Sequence, residues 1–236
     1  MKYEIVLFDI DDTLLDFPLS EKSALHNTFM DYNLPSGFAD YHASYREISK
    51  VLWRELEEGN ISLPELGVER FQRLFAENSL TVDAELFSQA YLDYLGQETH
   101  LMEGAEELCK ILKGCRLAII TNGFGQVQKA RIQNSPLAEL FEYIIISEET
   151  GYQKPNPGIF DYAFEKLGGA PKEKALIVGD SLTSDIQGGN NYGIDTCWFN
   201  PQQKKNETTV KPTYEIRSLS EVADIVKGLS RQEAGK

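Results

Sequence analysis

Short runs of apolar residues recur along the chain, and each run predicts a β-strand. Most of them lack an alternation of apolar and polar residues, which is the pattern of strands buried on both faces of a sheet. Acidic, glycine or asparagine residues end several of the runs. We therefore predict strands at residues 4–8, 116–121, 143–147, 175–179 and 194–199, and a further short strand at residues 214–217.

Helical patterns lie between these predicted strands. Apolar residues recur at helical spacing over residues 103–112, 125–133, 157–167 and 184–191. An alternation of strands and helices is typical of right-handed crossovers that build a doubly wound, Rossmann-like parallel sheet. In such α/β sheets the ligand lies beyond the carboxyl ends of the strands. The residues that follow each predicted strand are therefore the first place to look for chemistry.

Residues 17–99 interrupt this alternation with several amphipathic helical patterns. Ser62 and Glu65 have the spacing of a capping box, which predicts the start of one helix. Asp83 is predicted to open another, in which the inward-facing residues are Leu86, Phe87, Tyr91 and Tyr94. We predict an α/β core formed by residues 1–16 and 100–230, an inserted helical cap over residues 17–99, and a frayed tail at residues 230–236.

The charge balance limits the partners that we expect. The 236 residues include 23 Lys and Arg against 37 Asp and Glu, which gives a net charge of −14. A surface this negative repels nucleic-acid polymers and anionic membrane surfaces. A small anionic substrate remains compatible with it if a metal ion or a few local cations offset the repulsion.

Cysteine usage and the absence of an export signal indicate the compartment. The three cysteines are odd in number and form no C-x-x-C pair, which argues against a disulfide framework or a zinc site. The apolar run at the N-terminus is short and ends in acids, and no run is long enough to span a membrane. We expect a cytoplasmic location.

Two acidic clusters follow predicted strands. Asp9 and Asp11 come directly after the first strand, and Asp180 and Asp185 follow the fourth. Each cluster alone could be a solvated turn or a helix cap. Because both strands belong to one parallel sheet, however, the four carboxyl groups should meet at one edge. Clustered carboxylate oxygens bind hard divalent cations, and Mg²⁺ is the candidate.

Thr121, Asn122 and Lys154 could balance these acids. Thr121-Asn122-Gly123 ends the second strand and offers a hydroxyl, an amide and free backbone N–H groups, which suit a phosphate oxygen. The same residues could form an ordinary turn and cap. Lys154 lies in a loop that Gly151 and two prolines make stiff, so its ammonium group could be held near the carboxylates and bind phosphate.

Taken together, these motifs resemble those of the haloacid dehalogenase (HAD) superfamily. The resemblance rests on Asp9-x-Asp11-x-Thr13, Thr121, Lys154 and Gly179-Asp180-x4-Asp185, each placed in order after an apolar strand. The helical insert is similar to the C1-type cap of that superfamily. The phrases TNGFGQVQKARI, GYQKPNPGIFDYAF and VGDSLTSDIQGG are most similar to noncanonical pyrimidine 5'-nucleotidases.

The resemblance implies a Mg²⁺-dependent phosphomonoester hydrolase that acts on small phosphorylated substrates, with pyrimidine nucleoside monophosphates as the expected class. Asp9 would attack phosphorus and form an aspartyl-phosphate, and Asp11 would serve as general acid and then as general base. The resemblance assigns Mg²⁺ to the Asp9 carboxylate, the Asp11 backbone carbonyl and Asp180, with Asp185 bound directly or through water. Thr121 and Lys154 would hold the phosphoryl group, with Asn122 beside it.

Other activities share parts of this pattern. Sugar-phosphate phosphatases, phosphoglycolate phosphatases and phosphomutases use the same core and differ in their cap contacts. Dehalogenases of the superfamily need neither the second acid, Asp11, nor a metal. A phospho-acceptor signalling module also arranges acids, Thr and Lys around Mg²⁺, but it needs no large cap. The sequence does not indicate an oligomeric state.

Overall fold

The computed structural model describes residues 1–34, 38–169 and 171–229, and its contacts divide the chain into two units. The first unit comprises Met1–Phe17 and Thr99–Lys236, and the second comprises Pro18–Glu98. The predicted frayed tail at residues 230–236 lies outside the described residues. The function of the second unit as a cap stays a prediction.

A six-stranded parallel sheet forms the centre of the first unit. Its order is β3-β2-β1-β4-β5-β6, and each neighbouring pair is parallel. The strands are β1 (Ile5–Phe8), β2 (Arg116–Thr121), β3 (Tyr143–Ile146), β4 (Ala175–Gly179), β5 (Asp195–Phe199) and β6 (Tyr214–Ile216). The prediction of a doubly wound, Rossmann-like parallel sheet is therefore confirmed.

Helices connect the strands and form the second unit. They are α1 (Phe17–Asp31), α2 (Phe38–Glu57), α3 (Leu63–Glu77), α4 (Ala84–Leu95), α5 (Ala105–Ile111), α6 (Gly125–Gln133), α7 (Ser147–Thr150), α8 (Pro157–Lys166), α9 (Gln187–Tyr192) and α10 (Glu221–Lys227). Within the described residues, none of them has the length and apolar character that crossing a lipid bilayer requires.

Burial on both faces explains the unbroken apolar runs of the central strands. Val6 and Phe8 pack into one apolar cluster, whereas Ile5 and Leu7 pack into a second one. Successive side chains of a strand point to opposite faces. Because helices cover both faces of β1, every position of the strand favours an apolar residue, and no polar alternation remains in the sequence.

Several predicted segments differ from the structure by one or two residues at their ends, and two of the differences lie close to the predicted site. The strand predicted at residues 143–147 ends at Ile146, because Ser147 begins the short helix α7. The helix predicted at residues 184–191 begins earlier, at Leu182, with a π-helical turn over Leu182–Ile186. Such wider turns are rare and occur often at functional sites.

The second unit contains the helix starts that the sequence predicts. Ser62 and Glu65 form a complete capping box at the start of α3, and Asp83 caps α4 through its side chain. Phe87 and Tyr91 are buried as predicted. The inward position of Leu86 was wrong, because its side chain is 63% exposed and lies on the solvent side of α4.

Candidate active site

The register of the sheet brings the two acidic clusters together. β1 and β4 are neighbours, with Phe8 paired to Val178, and the backbone N–H of Asp9 donates to the Val178 carbonyl at 3.0 Å. Asp9 and Asp180 are the residues that directly follow these two strands. Parallel strands end at the same edge of a sheet, so the two aspartates emerge side by side.

Three carboxyl groups converge at this edge. Asp9, Asp180 and Asp185 each offer an oxygen atom, and these atoms lie within 4.8 Å of one another. Asp185 is fixed by the backbone N–H of Ser181, which donates to Oδ2 at 3.0 Å. The close approach of Asp185 to β4 depends on Gly179, since a Cβ atom there would lie only 2.2 Å from Oδ2 of Asp185.

Lys154 supplies the positive charge inside this cluster. Its Nζ donates to Asp9 Oδ1 at 2.5 Å, to Asp185 Oδ1 at 2.7 Å and to the Ile120 carbonyl at 2.8 Å. The side chain is 1% exposed. The structure thus joins Lys154 directly to residues of both acidic clusters, as the loop sequence indicated.

Asn122 fixes the backbone of Lys154. The Asn122 side chain accepts the Lys154 backbone N–H at 2.8 Å and donates to the Lys154 carbonyl at 3.0 Å. The prediction of free backbone N–H groups in this turn was wrong for Gly123, whose N–H donates to the Ser147 hydroxyl at 3.1 Å. This contact follows from the early end of β3, which places Ser147 in a helix.

The electrostatics of the cluster favour a further cation. Burial raises the pKa of Asp9 to about 7, against the opposing effect of Lys154. Burial and the charge of Asp185 raise the pKa of Asp180 well above its usual value. Burial lowers the pKa of Lys154, but the attraction of Asp185 and Asp9 outweighs it, so that pKa is raised overall. One ammonium group therefore does not compensate the acids fully.

The donor set fits a hard divalent cation. Asp9, Asp180 and Asp185 present carboxylate oxygens alone, which is the ligand type that Mg²⁺ and Ca²⁺ prefer. The raised pKa values of Asp9 and Asp180 are the expected state of such ligands when no cation balances them. The residues that the sequence predicted as carboxylate metal ligands thus suit Mg²⁺ by chemistry and by proximity.

The side chain of Asp11 points to a different set of partners. Arg131 forms an ion pair with Asp11 Oδ1, and the Gln128 amide donates to Asp11 Oδ2 at 2.8 Å. The same Gln128 amide donates to the Thr121 hydroxyl at 3.1 Å. Thr121 is 1% exposed and lies at the end of β2. The structure therefore links Thr121 and Asp11 through α6.

Gln128 and Arg131 were missed as site residues in the sequence. Their spacing of three residues on one helix was the available signal, since residues three apart lie on the same helix face. Polar residues in a helix ordinarily face solvent, so nothing in the pattern marked these two as buried.

A second missed feature is the loop after β5. The Asn200 side chain accepts the Lys204 backbone N–H at 2.8 Å and donates to the Lys204 carbonyl at 3.0 Å. Burial raises the pKa of Asp12 to about 6 and raises the pKa of Asp180 well above its usual value, and the charge of Lys204 opposes both shifts. Trp198, the residue before Phe199 in β5, donates its indole N–H to the Asp180 carbonyl at 2.8 Å.

Comparison with known proteins assigns the chain to a family. A family model for haloacid dehalogenase-like hydrolases matches residues 3–193. The chain is 39% identical over 229 residues to pyrimidine 5'-nucleotidase PynA from Streptococcus pneumoniae, which covers 95% of both proteins. It is 34% identical over 227 residues to pyrimidine 5'-nucleotidase YjjG from Escherichia coli, covering 96% of this chain and 99% of the relative.

A solved structure agrees with these relatives. The crystal structure of HAD-hydrolase YfnB from Bacillus subtilis, described as bound to magnesium, matches with a TM-score of 0.90 at 41% identity. The match covers 96% of this chain and 99% of that one. The two nucleotidase relatives also support the prediction of a phosphoric monoester hydrolase. The order of the motifs, the parallel sheet and these matches lead to one conclusion: the chain belongs to the haloacid dehalogenase-like hydrolase family.

Proposed function

We propose that the chain is a Mg²⁺-dependent phosphomonoester hydrolase that forms an aspartyl-phosphate on Asp9 and acts on pyrimidine nucleoside 5'-monophosphates. The observation that carries the proposal is the convergence of Asp9, Asp180 and Asp185 with Lys154 at the carboxyl edge of the sheet. Phosphoryl transfer needs alignment and charge neutralisation more than covalent assistance, and this cluster offers both.

Asp9 is the proposed nucleophile. Lys154 occupies Oδ1 of Asp9, so we assign the attack on phosphorus to Oδ2. The new bond joins Oδ2 to phosphorus while the bond from phosphorus to the ester oxygen breaks, and Asp11 gives its proton to the departing alcohol. Water then attacks the phosphorus of the aspartyl-phosphate, Asp11 takes a proton from that water, and phosphate leaves Asp9 in its original carboxylate form.

Asp9, Asp180 and Asp185 are the proposed carboxylate ligands of Mg²⁺, with the backbone carbonyl of Asp11 as a further ligand. The bound ion would neutralise the clustered carboxylates and stabilise the charge of the phosphoryl group. The oxygen-only donor set and the raised pKa values of Asp9 and Asp180 support this assignment. The magnesium described for the similar YfnB structure gives further support.

Lys154 and Thr121 are the proposed ligands of the phosphoryl oxygens. Lys154 is held at both ends, by the Asp9 and Asp185 carboxylates at its ammonium group and by Asn122 at its backbone. Such a fixed cation needs little reorganisation when the phosphoryl group arrives. The Asn122 side chain already pairs with the Lys154 backbone, so its proposed contribution to phosphate binding acts largely through the position of Lys154.

The pyrimidine nucleotide preference rests on the relatives. PynA and YjjG are both named as pyrimidine 5'-nucleotidases, and both match nearly the full length of this chain. The match includes the helical second unit, Pro18–Glu98, which the resemblance to the superfamily implies to be the cap that selects the substrate.

Trapping the phosphoenzyme tests the mechanism. The wild-type protein is mixed with Mg²⁺ and a nucleoside monophosphate that is labelled in its phosphate, and the reaction is then quenched in acid. The protein should carry the label on Asp9. The Asp9→Asn variant should carry none and should lose turnover while keeping its fold. Asp12→Asn is the matched control, because Asp12 is a neighbouring acid outside the proposed chemistry, and it should still be labelled. Label on Asp9→Asn would refute the assignment of the nucleophile.

A panel of phosphate monoesters tests the substrate class. Initial rates on dUMP, dTMP, UMP, purine nucleotides, sugar phosphates and phosphoglycolate should be highest for the pyrimidine nucleotides and should vanish with excess EDTA. A wide preference for sugar phosphates would overturn the nucleotidase proposal and keep the phosphatase proposal. Stable phosphorylation without turnover would indicate a signalling module instead.

A further inference from the structure

Two buried polar residues of α6 have no place in the roles assigned so far. Gln128 is 2% exposed and Arg131 is 0% exposed. Arg131 is among the largest side chains of the described residues that are fully buried. Burial of an arginine is costly unless its charge is paired and hydrogen-bonded, so its partner in the structure is informative.

Both residues hold the same carboxylate. Arg131 pairs with Oδ1 of Asp11, and Gln128 donates to Oδ2 of Asp11 at 2.8 Å. Arg131 also donates to the Gln128 side-chain oxygen at 3.1 Å, so the two partners are joined to each other. With a separate donor on each oxygen, the Asp11 carboxylate has a single preferred rotation, even though its side chain is 29% exposed.

Gln128 extends this arrangement to Thr121. Its amide nitrogen donates both to Asp11 and to the Thr121 hydroxyl, at 3.1 Å for the latter. One nitrogen atom of α6 thus binds both Asp11, the proposed proton donor, and Thr121, the proposed ligand of the phosphoryl group. Contacts that served only to pack α6 against the sheet could be made to any polar group, whereas these contacts are made to two proposed site residues.

We propose that Gln128 and Arg131 are positioning residues that hold the Asp11 carboxylate at a fixed place relative to the Thr121 hydroxyl for proton transfer to the leaving alcohol. The inference rests on the proposed function, because it assigns the step that these residues serve. General acid–base catalysis requires the acid to lie within hydrogen-bond reach of the leaving oxygen. A side chain that loses its supports leaves that position, and small displacements cost large factors in rate.

The choice of leaving group separates positioning from general stability. A nucleoside leaves as an alcohol and needs the proton of Asp11, whereas the p-nitrophenolate of p-nitrophenyl phosphate leaves without one. The ratio kcat/KM reports the steps up to formation of the phosphoenzyme. A displaced Asp11 therefore lowers kcat/KM for the nucleotide and leaves kcat/KM for p-nitrophenyl phosphate unchanged. Asp11 is also the base in hydrolysis of the aspartyl-phosphate. If that hydrolysis limits turnover, a displaced Asp11 lowers kcat for both substrates.

The test compares Gln128→Met with Gln126→Met. Methionine matches glutamine in length and removes the amide. Gln126 is an exposed residue of the same helix and serves as the matched control. We expect Gln128→Met to lower kcat/KM for dUMP on the order of 100-fold, with kcat/KM for p-nitrophenyl phosphate little changed. Gln126→Met should match the wild type on both substrates.

A second variant covers the case in which Gln128→Met does not fold. Arg131→Lys keeps the positive charge but loses the planar guanidinium group with its fixed donor geometry, and it should show the same selective loss of kcat/KM for dUMP. Equal losses on both substrates, or no loss in either variant, would overturn the inference while wild-type turnover keeps the proposed function. Absence of wild-type turnover on both substrates would overturn the proposed function and this inference with it.

Discussion

Replacement of Gly179 by alanine is the sharpest test of the carboxylate cluster. A Cβ atom at this position would lie 2.2 Å from Oδ2 and 2.3 Å from Cγ of Asp185. The overlap involves Cβ of Asp185 as well, at 2.6 Å, so rotation of the carboxyl end alone does not relieve it. Asp185 has to move away from its contacts with Lys154 and with the Ser181 backbone.

The loss of unfolding free energy in Gly179→Ala depends on how far Asp185 moves. Overpacking of a well-packed site costs about 1–3 kcal/mol of unfolding free energy when the surroundings shift slightly. If the shift separates Asp185 from Lys154, the broken buried ion pair adds about 3–5 kcal/mol. If Asp185 is a Mg²⁺ ligand as proposed, its displacement removes one of the three carboxylates of the ion site. At a Mg²⁺ concentration of about 100 times the wild-type Kd, the proposed binding should stabilise the wild type by about 2.7 kcal/mol, and Gly179→Ala should lose most of this gain.

The assay is chemical unfolding of Gly179→Ala with and without Mg²⁺. Gly189→Ala is the matched control, because a Cβ there would also clash, at 2.5 Å from Cγ2 of Thr196, but with no acid of the cluster. Both variants should lose stability without the ion, and only Gly179→Ala should lose the stabilisation that Mg²⁺ gives. An ion-dependent gain as large as that of the wild type would refute the proposed coordination by Asp185.

Three further predictions concern Lys154, Asp9 and Ser62. Lys154→Met leaves the buried carboxylates without their ammonium partner, so urea unfolding in EDTA should show an unfolding free energy lower by about 3–5 kcal/mol. Mg²⁺ should restore part of this loss, and an unchanged urea midpoint would contradict the buried pairing. Burial raises the pKa of Asp9 from 3.8 to about 7, so between these two pH values the folded state binds the proton more tightly than the unfolded state. The unfolding free energy in EDTA should therefore fall as pH rises from about 4 to about 7. Saturating Mg²⁺ should flatten this fall, and parallel curves with and without the ion would argue against Asp9 as a ligand. Ser62→Ala removes one half of the capping box and should lower the unfolding free energy by about 1 kcal/mol, measured by thermal unfolding, whereas an unchanged Tm would mean that the cap is dispensable.

The sheet could be predicted from the sequence because burial on both faces leaves a simple pattern. β2 and β4 match their predicted residues in full. The same logic predicted which aspartates would be neighbours, since residues that follow adjacent parallel strands share one edge. The end of β3 could not be predicted this way, because Ser147 continues a strand-like run in the sequence although it begins the helix α7 in the structure.

The missed residues Gln128 and Arg131 have a common physical explanation. A polarity pattern assigns polar residues to solvent and apolar residues to the interior, and it fails where a residue is placed by a specific partner. Gln128 and Arg131 are buried because Asp11 and Thr121 satisfy their donors. Leu86 shows the opposite case, an apolar side chain on the exposed face of α4. No local pattern reports such partners, since they lie far apart in the sequence.

The hydrogen bond from the Trp198 indole to the Asp180 carbonyl gives the site a built-in optical reporter. The sequence contains two tryptophans, and the other one, Trp53, belongs to the second unit. In a Trp53→Phe background, the emission of Trp198 alone would follow any rearrangement at Asp180 as the ion is added. The affinity and speed of that event could then be read by stopped-flow fluorescence without substrate, label or turnover.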